Sequence, residues 1–116
     1  MDVYETYGKK ITDCVRVPIT AADGVQEEII AAPAAGQRTL LMALFGVVAG
    51  DATVLLEKIG GTNETGTMAF LQGGGIALPH TGYPHLWTDS AEGIGLLATG
   101  STFDGFALVL TVSMDG

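Results

Sequence analysis

Short apolar runs separated by turn-forming residues follow one another along most of this chain, and this pattern restricts the fold more than any other feature. The runs lie at residues 26–32, 38–49, 52–59, 67–71, 76–78, 86–87, 93–98 and 105–114. Runs of this length with glycine, proline or asparagine between them are typical of antiparallel strands. We therefore predict an all-β fold, an antiparallel, jelly-roll-like β-sandwich of about eight strands.

The last run carries the clearest strand pattern. Its large residues alternate with small or β-branched ones, at Phe106, Leu108, Leu110, Val112 and Met114. This is the period of two of a β-strand, whose successive side chains point to opposite faces of the sheet. We predict that the large residues face the interior of the sandwich and that a neighbouring subunit covers the other face.

The apolar run at residues 40–49 does not alternate, and both a buried helix and a buried strand fit it. We interpret it as a strand, because Gly46 and the valines that follow it are poor helix formers. A strand that is covered on both faces is continuously apolar.

Residues 1–24 differ from the rest of the chain, because aromatic and basic positions mix there with acidic ones. These positions are Tyr4, Tyr7, Lys9, Lys10 and Arg16. A segment with so little apolar content does not fold alone and becomes ordered along a partner. We predict an N-terminal arm over residues 1–24 and a β-sandwich domain over residues 25–116. An ordinary first strand at residues 11–19 fits equally, since apolar residues alternate there too.

The formal net charge is −8, from 13 acidic and 5 basic residues. Such a chain repels phosphate backbones and anionic membrane surfaces, so we expect neither nucleic acid nor a membrane as partner. A basic protein surface would be complementary to this negative charge.

Hydrophobic residues make up 47% of the sequence and charged residues 16%. We expect copies of the chain to cover part of this apolar surface.

Cys14 is the only cysteine, which excludes an intrachain disulfide and suits assembly in a reducing cytoplasm. Residues 1–6 lack the basic and apolar regions of a signal peptide, so we expect no export. The longest apolar run is shorter than the ~20 residues that a helix needs to span a bilayer.

Residues 79–87 place two histidines and two aromatic residues in one proline-containing segment: His80, Tyr83, His85 and Trp87. On the axis of a trimer, one histidine per subunit could bind a metal ion. The spacing matches no known metal motif, so we predict surface or interface histidines, no metal and no cofactor. A tryptophan beside a loop is a core residue or an interface anchor, and we favour the anchor for Trp87.

No catalytic arrangement emerges from the sequence, and we predict that the chain is not an enzyme. The acidic residues lie in or beside turns, where solvated carboxylates are the expectation. The glycines at residues 93–95 match the outline of a dinucleotide motif, but a strand continues where that motif needs a helix.

The order of strands and turns from Gly36 to Met114 resembles that of small bacteriophage virion proteins of the capsid decoration or head-fibre-base kind. A glycine and a basic residue open the apolar strand at residues 36–41, a second strand follows at 52–58, and glycines punctuate the segments at 68–79. Residues 86–88, 91–98 and 103–110 complete the resemblance. Residues 1–24 lie outside it, and the loop at 79–85 is longer than the turn expected there.

The resemblance implies a virion structural protein that forms a homotrimer and binds the major capsid protein or another virion protein. It would assemble in the cytoplasm of the host bacterium and lie on the capsid surface, where it stabilises the head. The residues that we expect at the capsid or oligomer interface are Tyr4, Tyr7, Lys9, Lys10, Arg16, His80, Tyr83, His85 and Trp87.

Two other functions compete with this one. A carbohydrate-binding or receptor-binding module of a phage tail or fibre also uses a jelly roll, and Trp87 with Tyr83 could stack on sugar rings. A cupin-type metal enzyme would need a cluster of histidines on inward-facing strands, and the two loop histidines do not supply one.

Overall fold

A computed structural model describes residues 2–59, 63–90 and 92–113. The described part contains a short helix α1, Val3–Tyr7, and a 3₁₀ helix at Ile11–Asp13. Nine strands follow in it: β1 Val15–Ala21, β2 Gln26–Ile30, β3 Gln37–Val48, β4 Ala52–Lys58, β5 Met68–Phe70, β6 Gly75–Leu78, β7 Leu86–Trp87, β8 Ile94–Thr99 and β9 Phe103–Ser113.

The strands form two antiparallel sheets. The first sheet has the order β1-β9-β3-β6, with β7 also paired to β3, and the second has the order β2-β8-β4-β5. The prediction of an all-β antiparallel sandwich is confirmed. The strands from β2 onward begin and end within two residues of the predicted apolar runs. The glycine-containing run at 93–98 corresponds to strand β8, Ile94–Thr99, and not to the start of a helix.

The run at residues 40–49 belongs to β3, so the strand interpretation is confirmed and the helix alternative is wrong. A β-bulge between Leu41 and Ala43 shifts the register of β3 against β9. Before the bulge, Leu40 and Met42 face outward; after it, Leu44 and Val48 face the second sheet. A bulge inserts one extra residue and so reverses the faces of the residues that follow. The run is apolar on both faces because Leu41, Leu44 and Val48 contact the main core, whereas Leu40 and Met42 contact the outer cluster that includes Val3.

The faces predicted for Phe106, Leu108, Leu110 and Val112 of β9 are wrong, and Met114, predicted with them, lies outside the described residues. Phe103, Ala107 and Val109 belong to the main core between the sheets, whereas Leu110 and Val112 belong to a second apolar cluster on the outer face of the first sheet. Leu110 and Val112 are buried on that outer face because Val3 of α1 packs against them. Phe106, predicted to lie in the core, is 36% exposed on the same outer face.

The N-terminal segment is part of the folded domain over much of its length. β1 pairs with β9 from Val15 to Ala21, so the first-strand alternative describes this stretch, and a separate arm over residues 1–24 is not confirmed. Asp2 caps α1 by accepting a hydrogen bond from the Glu5 N–H at 3.0 Å. Gly8 ends the helix with φ of 65°, a conformation that glycine adopts without a steric penalty.

Candidate interaction surface

Helix α1 packs on the outer face of the first sheet. Val3 lies against a cluster that includes Leu40, Met42, Leu110 and Val112, with Tyr4, Tyr7, Cys14 and Leu108 at its border. The Val3 N–H also donates a hydrogen bond to the Gly82 carbonyl at 3.0 Å. This contact joins α1 to the loop at residues 79–85, two segments that the sequence separates by more than 70 residues.

The Tyr4 hydroxyl connects three parts of the chain. It forms hydrogen bonds with His80 Nε2 at 2.6 Å and with Cys14 Sγ at 3.2 Å. Burial, followed by the hydrogen bond to Cys14 and nearby negative charge, raises the pKa of Tyr4 well above its ordinary value of 10.0. The hydroxyl therefore stays protonated and keeps α1, Cys14 and His80 together.

The basic residues predicted for the interface lie on or beside the outer face of the first sheet. Lys9 and Lys10 are exposed directly after α1. Arg16 projects outward from β1, with its guanidinium 5.5 Å from the centre of the Phe106 ring, a cation–π contact. Three acidic and three basic residues balance in residues 1–16, so the net charge of −8 belongs to the rest of the chain.

The residues predicted in segment 79–87 take different positions. His80 contacts Tyr4, whereas His85 closes its own loop by donating from Nε2 to the Pro79 carbonyl at 2.8 Å. Tyr83 is 54% exposed and Trp87 is 53% exposed. Trp87 pairs with Leu40 in the sheet, which places its side chain on the same outer side as α1.

We call α1, Lys9, Lys10 and the segment 79–87 the N-terminal patch. It unites Tyr4, Tyr7, His80, Tyr83 and Trp87, which the sequence separates. His85 belongs to the same segment but bonds within its own loop and lines the cleft beside Lys58, and Arg16 lies in β1. Large aromatic side chains that remain accessible to solvent, such as those of Tyr83 and Trp87, are among the residue types enriched at protein–protein contacts.

An apolar row across the first sheet was missed by sequence reasoning. Phe106 pairs with Pro18 on one side and with Phe45 on the other, and Phe45 pairs with Ala77. The two phenylalanine rings lie 5.4 Å apart, and none of the four residues is buried. Only the strand register places them side by side, since they come from four separate strands.

A charged cluster near the ends of β3 and β4 was also missed. Lys58 Nζ lies 3.1 Å from Glu92 and 3.3 Å from Asp89, and Asp89 is 3.7 Å from Arg38. The carboxylates of Glu92 and Asp89 raise the pKa of Lys58. A cleft of about 310 Å³ lies beside this cluster, lined by Lys58, Glu64, His85, Leu86, Trp87 and Asp89.

Within residues 2–59, 63–90 and 92–113, no three His, Cys, Asp or Glu side chains lie close enough to hold a metal ion. In the same part of the chain, no helix has the length and apolarity that crossing a bilayer requires. No family model matches the sequence, and neither a curated protein nor a solved structure is significantly similar to it.

Proposed function

We propose that this chain is a structural protein of a bacteriophage virion, a capsid decoration or cementing subunit that forms a homotrimer and binds the major capsid protein. It assembles in the bacterial cytoplasm and lies on the capsid surface. The observation that carries this proposal is the outer face of the first sheet, where the N-terminal patch and the apolar row offer exposed aromatic, apolar and basic side chains together.

We assign jelly-roll connectivity to the sandwich within the same proposal. Its support is the strand order, β1-β9-β3-β6 in one sheet and β2-β8-β4-β5 in the other. From β1 to β4 the chain alternates between the sheets, and so it does again from β8 to β9. With the two-residue β7 set aside as an addition to β3, eight strands form two four-stranded sheets in the jelly-roll manner.

The N-terminal patch is the surface that we assign to the capsid. Trp87 and Tyr83 are each more than half exposed, and desolvation of such side chains contributes much of the affinity at protein–protein contacts. Their backbone is held by strand pairing with β3 and by the contact between α1 and the loop at 79–85. A patch held in one conformation loses little entropy on binding.

Co-sedimentation with capsids that lack the protein tests this assignment. We expect the wild-type chain to bind, and Trp87→Ala to weaken binding about tenfold or more, as loss of an anchor residue does. The matched control is Leu71→Ala. Leu71 is 77% exposed and lies in the turn after β5, at the opposite end of β3. Equal binding by Trp87→Ala, Tyr83→Ala and the wild type would reject the patch, and a wild-type chain that binds no capsid would reject the function.

A carbohydrate-binding module of a phage tail or fibre is the second candidate. The cleft beside the charged cluster favours it, because an exposed tryptophan borders a concave surface that carries both carboxylates and a lysine. Stacking on an aromatic ring combined with fixed polar groups is suitable for sugar recognition. A glycan array tests this candidate: we expect a binder that Trp87→Ala loses and Trp87→Phe retains in part. An array without a binder would eliminate it.

A further inference from the structure

We infer that an extended segment of a partner protein adds as a further strand beside β6, with alternate apolar residues and a basic residue near its N-terminal end. This inference rests on the partner binding in the proposed function and names the kind of segment that is bound. Three features carry it: the open edge of β6, the apolar opening beside this edge, and the charges at its end. Such an added strand pairs with backbone groups that an edge strand leaves free.

The edge of the first sheet at β6 is open in the described part of the chain. β6 pairs with β3 on one side, and no described strand pairs with its other side. β5 is an edge strand of the second sheet, and neither β5 nor β6 contains a charged residue or a proline. Backbone N–H and C=O groups along such an edge can pair with another chain.

The edge strands at the other ends of the two sheets, β1 and β2, carry features that oppose such pairing. β1 contains Pro18, which has no N–H to donate. β2 has a bulge between Glu28 and Ile30, and it also carries Glu27. Prolines, bulges and charges keep edge strands from pairing with other chains. The contrast favours β6 as the edge at which a strand is added.

An apolar opening between the sheets lies directly beside β6. Its volume is about 290 Å³, and its lining includes the buried Leu44 and Leu56 with the half-buried Met68, Ile76 and Leu78. Ile76 and Leu78 lie on the face of β6 that packs against the main core. Successive side chains of an added strand point to opposite faces. Every second side chain would therefore enter the opening, and its lining selects apolar ones.

The charges at one end of this edge select the basic residue. His85 and Leu86 line both the apolar opening and the cleft beside the charged cluster, so the two are adjacent. The charged cluster and Glu64 supply three carboxylates and two basic groups, which leaves one negative charge for a lysine or arginine to complement. Trp87 of the N-terminal patch also lines this cleft. A partner bound to the patch can therefore reach the edge of β6.

The direction of the added strand follows from the path of the chain. β6 and β7 both pair with β3 on the side away from β9, and β6 runs from Gly75 towards β7 and the cleft. Antiparallel pairing is the more stable kind per residue. A strand antiparallel to β6 begins at the cleft, so its basic residue precedes its apolar ones.

An array of octapeptides tests this chemistry with the wild-type chain. Each peptide alternates valine with threonine after two lysines, two serines or two glutamates. We expect the lysine peptides to bind at least about tenfold more tightly than the glutamate peptides, because only the former complement the cleft. Strand pairing uses one edge of the peptide. Methylation of one alternate set of its backbone nitrogens should therefore abolish binding, whereas methylation of the other set should leave it.

Matched variants locate the site, with fluorescence anisotropy of a labelled lysine peptide as the measurement. Met68→Trp places a larger side chain at the apolar opening and should abolish binding. Val15→Trp is its control, at an exposed position of β1, and should bind as the wild type does. Glu64→Gln removes the excess negative charge and should weaken binding severalfold, whereas Glu28→Gln, an exposed carboxylate of β2, should not. Circular dichroism verifies that each variant is folded.

Each failure has its own signature. An array without a binder, or glutamate peptides that bind as tightly as lysine peptides, would overturn the inference. So would binding that Val15→Trp abolishes and Met68→Trp leaves. Protection of the β6 amides from hydrogen exchange that rises with protein concentration, without peptide, would establish a second copy as the occupant instead. Co-sedimentation decides the proposed function separately: a chain that binds capsids but no peptide keeps that function, and a chain that binds peptides but no capsid keeps the inference.

Discussion

Phe103 shows how a single residue in the core depends on the absence of a neighbouring side chain. Its ring is fully buried, and it occupies the space where a Cβ atom on Gly46 would lie. Gly46 lies in β3 and pairs with Gly105 of β9 and Ile76 of β6, so the backbone there cannot move away without breaking these pairings. The glycine is required for space between the strands.

We expect Gly46→Ala to lower the free energy of unfolding by about 1–3 kcal/mol, the usual cost of overpacking a core. Urea denaturation, monitored by circular dichroism, measures this change in the free energy of unfolding. The matched control is Gly66→Ala, where no atom lies within 4 Å of the added Cβ and the expected change is within about 0.5 kcal/mol. Equal effects at the two positions would show that the Phe103 ring is not fixed against Gly46.

Ionisation of Tyr4 should make the free energy of unfolding depend on pH, and a phenylalanine at this position would remove that dependence. Its pKa is raised in the folded chain, so above the ordinary value of 10.0 the unfolded chain releases the tyrosine proton first. The stabilisation is therefore complete below pH 10 and is lost as the pH rises above it. We expect the difference in free energy of unfolding between wild type and Tyr4→Phe to narrow above pH 10.

The same pair of proteins tests the hydrogen bonds at neutral pH. Tyr4→Phe removes the bonds to His80 and Cys14, and a hydrogen bond contributes about 0.5–1.5 kcal/mol. Tyr7→Phe is the control on the same helix. A difference that stays constant from pH 8 to pH 11 would exclude a raised pKa for Tyr4.

At the scale of the strand, the sequence predicts where elements lie better than which face their residues take. Turn residues delimit β2 to β9 to within two residues because glycine and proline disrupt a strand through local backbone chemistry. The face of the sheet that a side chain occupies is decided by tertiary structure. The bulge after Leu41 reverses β3, and α1 gives the outer residues of β9 a second apolar environment. Neither the bulge nor the cover that α1 provides can be inferred from the order of apolar residues in these strands.

Helix α1 shields one part of the outer face of the first sheet from water, the cluster around Leu40 and Met42. We expect Val3→Asp to detach it, because a buried carboxylate without a partner is strongly disfavoured. Leu40 and Met42 would then be exposed, so an apolar dye should bind and the melting temperature should fall while the strand signal in circular dichroism remains. Thr6→Asp adds the same charge at an exposed position of α1 and should bind no dye. A Val3→Asp variant as stable as Thr6→Asp would show that α1 does not cover the cluster.

At the scale of the whole molecule, composition predicts surplus apolar surface but not its position. The apolar row combines residues from β1, β3, β6 and β9, and the N-terminal patch combines Tyr4 with His80. No local pattern links such positions, because their proximity results from pairing between distant strands. The exposure of Tyr83 and Trp87 agrees with their prediction as surface or interface residues in a proline-containing segment.

The same distant pairing should make folding slow. In the described residues, β4 with β5 is the one pair of strands that are both consecutive in sequence and hydrogen-bonded. β1 must find β9, and β2 must find β8, across most of the chain. The entropy of closing these long loops is lost before the contacts form, so proteins of this kind refold in about milliseconds to seconds. Stopped-flow fluorescence of Trp87 after dilution from urea measures the rate. A refolding phase complete within microseconds would mean that local contacts, and not the β1–β9 and β2–β8 pairs, dominate the transition state.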